Sequence, residues 1–147
     1  MDPSIKQISY GPEVEALLSN NSLPTSDLGG ESKVYWFGMH SNECLVGVVG
    51  IEAYGSVALL RSLAVATSAR AGGYGRSLVA DAEAWALQSR VKKLYLLTET
   101  AAEYFARLGY VRLPRSEAPS AIARTSQFSG LCASSAAFMG KELCNSC

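Results

Sequence analysis

The stretch Arg70-Ala71-Gly72-Gly73-Tyr74-Gly75-Arg76 decides the fold, because its three glycines separate two strongly patterned segments. Residues 58–65 before it are apolar almost throughout, which is typical of a central strand covered on both faces. Residues 74–90 after it repeat apolar side chains at helical spacing. The sequence therefore predicts a strand, a glycine-rich loop and a helix in direct succession. The apolar face of this helix holds Tyr74, Leu78, Ala82, Trp85 and Ala86.

The glycine-rich loop has the chemistry of an anion site. Glycine lets backbone amides approach a ligand closely, and the first N–H groups of a helix have no partner within the helix. The positive end of the helix dipole also favours an anion such as a pyrophosphate. Arg70 and Arg76 bracket the loop, where they can pair with phosphate oxygens. A flexible turn is the alternative, but it leaves both arginines unexplained.

Other strand and helix patterns extend outward from this loop. Strands are predicted at residues 6–9, 34–39, 45–51, 58–65, 93–98, 110–113 and 134–143, with turns at 40–43 and 53–56. Helices are predicted at 12–21, 74–90, 101–108 and 117–124, with one more helical turn at 23–28. Hairpins come first, then strands alternating with helices, then one closing strand. This order predicts an α+β fold with a mixed, mostly antiparallel central sheet and helices on both faces.

Composition narrows the class of protein. The chain has 147 residues, of which 48% are hydrophobic, and its 13 basic residues balance 13 acidic ones. The size and apolar content predict a single domain over residues 1–143 with a tail at 144–147. A net charge near zero argues against nucleic acid or an anionic membrane as a partner. No apolar run is long enough for a membrane span, and no secretion signal is evident, so we expect a cytoplasmic protein.

The four cysteines predict no metal site. Cys144 and Cys147 form a CxxC at the chain end, without the further cysteine or histidine ligands that a zinc site needs. Cys44 lies in an apolar run and is predicted to be a small core residue. The only histidine, His40, is predicted to be a turn residue.

Three ordered segments resemble the GCN5-related N-acetyltransferase (GNAT) superfamily. The segment from Arg70 to Gly75 matches its Arg/Gln-x-x-Gly-x-Gly/Ala motif. Residues 59–65 resemble the strand before that motif, and residues 101–110, ending Phe105-Ala106-Arg107-Leu108-Gly109-Tyr110, resemble a later helix and turn of the family. The resemblance covers residues 5–143. It implies a sheet whose central strands splay apart at the cofactor site.

The resemblance further implies that acetyl-CoA is the co-substrate. Amides of the glycine-rich loop would hold its pyrophosphate, and backbone groups of Leu63 and Val65 would pair with its pantetheine arm. The amide of Leu63 would also polarise the thioester carbonyl, as in an oxyanion hole. The cofactor-binding residues implied in this way are Leu63, Ala64, Val65, Arg70, Ala71, Gly72, Gly73, Tyr74, Gly75, Arg76, Thr98 and Phe105.

The chain departs from the family at the acid and base positions. Phe105 occupies the position where many members have a tyrosine that protonates the leaving thiolate, and Tyr104 lies about 100° away around the helix. A free thiol has a pKa of about 8.5, so the thiolate can also leave unaided. Glu52 and Glu99 are the candidate general bases, acting directly or through a water. Each is equally well explained as a solvated carboxylate at a strand end.

Arg61 is a charge inside an otherwise apolar strand, and burial of an unpaired charge is costly. It is predicted to bind an anionic group of the acceptor, together with Ser62. An ion pair with Glu52 across the hairpin is the alternative, and the two interpretations are compatible.

Within the superfamily, residues 50–65 and Gln127-Phe128-Ser129-Gly130-Leu131-Cys132 resemble small acetyltransferases found beside arsenic-resistance genes. This resemblance implies an amino-acid-like acceptor, such as an arsenic- or phosphorus-containing glutamate analogue. It places Cys132 on the acceptor side, where a structural thiol is the alternative. The closing strand could pair across a two-fold axis, as happens in relatives, so a homodimer is a candidate arrangement.

Two other functions fit parts of the pattern. Gly73-Tyr74-Gly75 begins the GxGxxG of a dinucleotide-dependent oxidoreductase, but Leu78 occupies the position of the third glycine. A non-catalytic acyl-CoA-binding or sensing module is the other alternative, because the tyrosine acid is missing. Turnover of acetyl-CoA with amino acids separates this module from an enzyme.

Overall fold

The computed structural model describes residues 4–21, 34–66, 73–99, 101–125, 128 and 136–143. The strands are β1 Ser4–Ile8, β2 Val34–Ser41, β3 Cys44–Tyr54, β4 Val57–Val65, β5 Lys93–Thr98, β6 Val111–Arg112 and β7 Ala137–Glu142. The helices are α1 Pro12–Asn20, α2 Tyr74–Gln88, α3 Ala102–Arg107 and α4 Ser120–Ala123, and Arg115–Glu117 forms a short 3-10 turn.

The strands form a seven-stranded sheet in the order β1-β2-β3-β4-β5-β7-β6. β4 and β5 pair in parallel, whereas β1–β2, β2–β3, β5–β7 and β6–β7 pair antiparallel. The predicted α+β fold with a mixed, mostly antiparallel sheet is therefore confirmed. The residues group into two compact units, Met1–Glu52 with Leu60–Trp85 and Ala53–Leu59 with Ala86–Cys147.

In the first unit, helices cover both faces of the strands. Successive strand residues point to opposite faces, so the neighbours Trp36 and Phe37 of β2 pack on opposite sides of the sheet. Trp36 packs in a cluster with Leu17 and Leu18 of α1. Phe37 faces Trp85 of α2, with ring centroids 5.8 Å apart. The predicted arrangement of helices on both faces thus holds in this unit.

The second unit has its own core on the strands β5 and β7. Tyr95 of β5 and Phe138 of β7 stack with ring centroids 5.4 Å apart. Leu59 of β4 and Ile122 of α4 complete the buried cluster. The pairing of β4 with β5 runs from Val57 opposite Lys93 to Leu59 opposite Tyr95. The predicted splay of the central strands at the cofactor site stays a prediction.

The predicted elements are present, with shifts of a few residues at their ends. The strand predicted at 45–51 extends to Tyr54 as β3, and the closing strand predicted at 134–143 is observed as β7, Ala137–Glu142. The predicted helix 117–124 divides into the 3-10 turn and α4. The predicted helical turn at 23–28, the tail 144–147 and residues 134 and 135 lie outside the described residues.

Two predictions around the first hairpin were wrong. His40 belongs to β2, because the turn consists of Asn42 and Glu43 alone. Both have positive φ, 53° and 66°, as a two-residue hairpin turn of the right twist requires. Cys44 is exposed instead of lying in the core, because it is the first strand residue after this turn.

Candidate functional site

A buried ion pair connects β3 to β4 within the first unit. Arg61 Nη1 donates a hydrogen bond to Glu52 Oε2 at 2.7 Å. The Arg61 side chain has no exposed surface, and that of Glu52 is 9% exposed. A short, charge-assisted bond compensates part of the cost of burying both charges. The ion pair that the sequence offered as an alternative role for Arg61 is therefore present.

This pairing bears on the roles predicted for both residues. Arg61 offers no exposed surface to an acceptor, so its predicted contact with an anion stays a prediction that would require the site to open. Glu52 is not a solvated carboxylate at a strand end, because only 6% of the residue is exposed. Its buried position is compatible with the role of a general base, which stays a prediction.

Ser62 has a backbone conformation that is unusual for a strand. Its φ is +59°, in the left-handed region that residues with a Cβ rarely adopt. Its hydroxyl accepts a hydrogen bond from Nε of the preceding Arg61 at 3.1 Å. Side chains of consecutive residues in a regular strand point to opposite faces. The bond between Arg61 and Ser62 therefore depends on the local kink.

The end of β4 presents the predicted pantetheine-binding residues. Ala64 is buried against the α1 core, whereas Leu63 and Val65 are half-buried. The N–H of Ala66 donates to the carbonyl of Val46 at 2.8 Å, which fixes the end of β4 to β3. Leu63 and Val65 thus keep part of their surface accessible, as partners of a cofactor arm would need.

The start of α2 forms the described half of the predicted phosphate site. Gly73 has a φ of +73°, is exposed, and has open space where a Cβ would lie. The N–H of Ser77 donates to the Gly73 carbonyl at 3.3 Å as an early bond of the helix. The amides of Tyr74, Gly75 and Arg76 precede this bond and belong to the first turn, whose donors have no intrahelical acceptor. An exposed glycine before these amides fits an anionic ligand.

Three predicted site residues lie in the second unit. Thr98 Oγ1 accepts a hydrogen bond from the Ala101 N–H at 2.9 Å and so helps to begin α3. Glu99 follows β5 and is exposed. Phe105 is buried, with its ring centroid 5.8 Å from that of Tyr110. Phe105 is therefore part of the core, and the half-buried Tyr104 is its neighbour in α3.

Four predicted residues have positions that the structure does not describe. Arg70, Ala71 and Gly72 fall in the gap between residues 66 and 73, and Cys132 falls between 128 and 136. Their predicted contacts with acetyl-CoA and with the acceptor stay predictions.

The sequence patterns did not predict the bonding partner of Lys141 or the backbone conformation of Ser62. Lys141 Nζ donates to the Leu108 carbonyl at 2.9 Å, at the C-terminal end of α3, and lies 5.6 Å from the centre of the Tyr110 ring. A lysine within the apolar strand β7 indicates that its charge has a bonding partner. The sequence does not identify that partner, because Leu108 is 33 residues away. The positive φ of Ser62 has no sequence signal, since serine occurs freely in strands and loops.

Two general features hold for the described part of the chain. None of its helices is both long and apolar enough to cross a membrane. Within the same residues, no three side chains of histidine, cysteine, aspartate or glutamate come together as potential metal ligands.

Comparison with known proteins identifies relatives of this fold. The model of the acetyltransferase (GNAT) family matches residues 7–110. N-acetylglutamate synthase from Neisseria gonorrhoeae, complexed with coenzyme A and N-acetyl-glutamate, is similar with a TM-score of 0.83 and 19% identity, covering 99% of this chain and 36% of that one. The chain therefore spans about a third of the length of that synthase. No curated protein sequence matches the chain.

Two further structures match along nearly their whole length. An acetyltransferase of the GNAT family from Staphylococcus aureus has a TM-score of 0.75 and 17% identity, with 96% of this chain and 100% of that one covered. Tetrahymena GCN5 has a TM-score of 0.76 and 15% identity, with 98% and 97% covered. At such low identity these structures support the fold alone.

Proposed function

Because this chain belongs to the acetyltransferase (GNAT) family of N-acetyltransferases, we propose that it acetylates the amine of a small, amino-acid-like acceptor with acetyl-CoA. The observation that carries the proposal is the family match over residues 7–110. That range includes Glu52, all of β4 and the start of α2, where the predicted site residues of the first unit lie. Acetyl-CoA supplies the acetyl group as a thioester.

The proposed cofactor site uses backbone groups more than side chains. The first-turn amides of Tyr74, Gly75 and Arg76 would bind phosphate oxygens, with the predicted help of Arg70, Ala71 and Gly72. The exposed backbone at Gly73 supports this assignment, because its open surroundings leave space for a ligand. Backbone groups of Leu63 and Val65 would align the pantetheine arm, and the Leu63 amide would polarise the thioester carbonyl.

We propose Glu52 as the base that takes a proton from the acceptor amine, directly or through a water. Its carboxylate is mostly buried and held in one orientation by Arg61, which favours a defined geometry for proton transfer. A proton retained on Glu52 would weaken its ion pair with the buried Arg61, so we expect the proton to pass on to water. Glu99, exposed after β5, is the alternative base.

For the leaving thiolate we propose no protein acid. Phe105 is a buried phenyl ring and has no proton to donate. Since a free thiol has a pKa of about 8.5, the thiolate is a tolerable leaving group near neutral pH. Thr98, whose hydroxyl oxygen accepts a bond from the Ala101 N–H, is kept as a candidate cofactor-binding residue on the ground of the resemblance alone.

The acceptor is proposed from resemblance and from the neighbours. The N-acetylglutamate synthase complex contains N-acetyl-glutamate, an acetylated amino acid. The resemblance to acetyltransferases found beside arsenic-resistance genes favours glutamate analogues in which arsenic or phosphorus replaces the side-chain carboxyl carbon. Cys132 and an anion contact by Arg61 and Ser62 belong to this finer proposal.

An acceptor screen tests the proposed function. Purified chain is mixed with acetyl-CoA and, singly, with the common L-amino acids and with methylphosphinic and arsinic analogues of glutamate. Thiol release and the mass of the N-acetylated product are measured, and heat-denatured chain is the control. We expect acetylation of at least one glutamate-like amine. Tight coenzyme A binding without turnover of any acceptor would instead favour the non-catalytic acyl-CoA-binding module.

A further inference from the structure

The hydroxyl of Ser62 and the guanidinium of Arg61 form a contact that a regular strand cannot make. Consecutive strand side chains diverge, yet Arg61 Nε lies 3.1 Å from Ser62 Oγ. The φ of +59° at Ser62 brings the two side chains to the same side. A residue with a Cβ is disfavoured in this conformation, so the chain maintains it at an energetic cost. Such a cost at a family site suggests a functional use.

This contact helps to fix the plane of the guanidinium. The group is planar, so bonds at Nε and at Nη1 restrict both its position and its rotation. Ser62 holds Nε, and Glu52 Oε2 lies 2.7 Å from Nη1. The side chain of Arg61 is fully enclosed, which limits the alternatives open to it. Ser62 of β4 and Glu52 of β3 therefore both restrict the orientation of the Arg61 guanidinium.

Glu52 is the more exposed member of this ion pair. Glu52 retains 9% exposure of its side chain, whereas Arg61 has none. Of these two charges, the carboxylate is therefore the one with surface to offer a reacting amine. We propose that Ser62 is a positioning residue, whose hydroxyl orients Arg61 and, through it, the carboxylate of Glu52. This inference rests on the proposed function, with Glu52 as the base.

Variants at Ser62 separate the hydroxyl from the backbone conformation. Glycine and asparagine both tolerate positive φ, but only asparagine retains an oxygen that can accept a hydrogen bond. Ser62→Gly, Ser62→Asn and Ser62→Ala are compared with the wild type, each alone and combined with Glu52→Gln. Initial rates are measured with the best acceptor from the screen above, and thermal unfolding confirms that each variant is folded.

We expect Ser62→Gly and Ser62→Ala to lower kcat by about 10-fold or more, because a misplaced catalytic group is costly in rate. The KM for acetyl-CoA should stay unchanged, and Ser62→Asn should recover part of kcat. In the Glu52→Gln background, removal of the hydroxyl should have little further effect, because its route to the reaction is already lost. A purely structural role would not produce this dependence on Glu52.

Three results would overturn the inference. They are a Ser62→Gly enzyme with wild-type kcat, an equal loss from Ser62→Ala with and without Glu52→Gln, and a Glu52→Gln enzyme with wild-type kcat. Each of these leaves acetyl transfer by the wild type intact, so the proposed acetylation survives, although the third result would remove Glu52 as its base. The absence of acetyl transfer by the wild type itself would instead refute the proposed function.

Discussion

At the scale of single residues, two glycines offer a matched test of the proposed cofactor site. Gly73, before α2, and Gly55, in the turn between β3 and β4, have φ values of +73° and +71°. Both have open space where a Cβ would be added. An alanine at either position therefore carries the same backbone strain without a clash. A difference in ligand binding between the two variants therefore results from the position of the added methyl group and not from backbone strain.

We predict that Gly73→Ala and Gly55→Ala each lower the free energy of unfolding by about 1–2 kcal/mol, as expected for a left-handed conformation at a residue with a Cβ. Only Gly73→Ala should weaken coenzyme A binding, because its added methyl group lies beside the proposed phosphate site. Urea denaturation measures stability, and titration calorimetry measures affinity. Equal coenzyme A affinity of the two variants would contradict this placement.

Lys141 is a residue whose role is structural in this account. We predict that Lys141→Met lowers the free energy of unfolding by about 1–3 kcal/mol, because the Leu108 carbonyl loses a charged donor at the end of α3. The control is Lys92→Met, at an exposed lysine before β5, where a change within about 0.5 kcal/mol is expected. Chemical denaturation of both variants gives the comparison. Equal losses of stability would contradict the stabilisation of the end of α3 by Lys141.

At the scale of elements, β3 and β4 are joined by the pair Glu52–Arg61. Removal of one partner leaves the other charge buried and uncompensated, whereas apolar replacement of both partners can be neutral. The strands around the pair are apolar and buried, with Ile51 and Leu60 as the chain neighbours of the two residues. The pair is therefore expected to fix the geometry of the site more than it stabilises the fold.

We predict that Glu52→Leu and Arg61→Met, made singly, each lower the free energy of unfolding by about 3–5 kcal/mol. The double variant should be more stable than either single variant, because no buried charge then lacks a partner. Equilibrium unfolding of the four proteins closes a double-mutant cycle. Additive losses in the double variant would show that the two charges do not depend on each other.

At the scale of the whole molecule, hydrophobic patterns predicted the order of elements well. Pro12 correctly predicts the start of α1. The apolar run ending at Thr98 predicts both ends of β5 correctly. Such features are local, because periodicity and backbone restriction act within a few residues. The turn at Asn42 and Glu43 was assigned too widely, because asparagine and glutamate give weaker turn signals than glycine.

The candidate site was less accessible from sequence. The family motif located the start of α2, and the isolated charge in β4 drew attention to Arg61. The sequence could not decide whether Arg61 faces Glu52 or a ligand, because that depends on the register of two strands and on burial. Nor could it show the left-handed conformation of Ser62, because serine carries no sequence signal for a positive φ. Pairing of β7 in a homodimer and a cytoplasmic location stay predictions.

The central claim is that amides at the start of α2 bind the phosphates of coenzyme A, and a charge variant tests it most directly. Gly75→Glu places a carboxylate in the first turn, Gly75→Gln adds the same bulk without charge, and Ala84→Glu adds the same charge to an exposed position of α2. The measurement is the coenzyme A dissociation constant of each variant by titration calorimetry, with thermal unfolding as the check of folding. We predict that Gly75→Glu binds at least about 10-fold more weakly than Gly75→Gln, whereas Ala84→Glu binds like the wild type. Equal affinity of folded Gly75→Glu and Gly75→Gln would contradict the account.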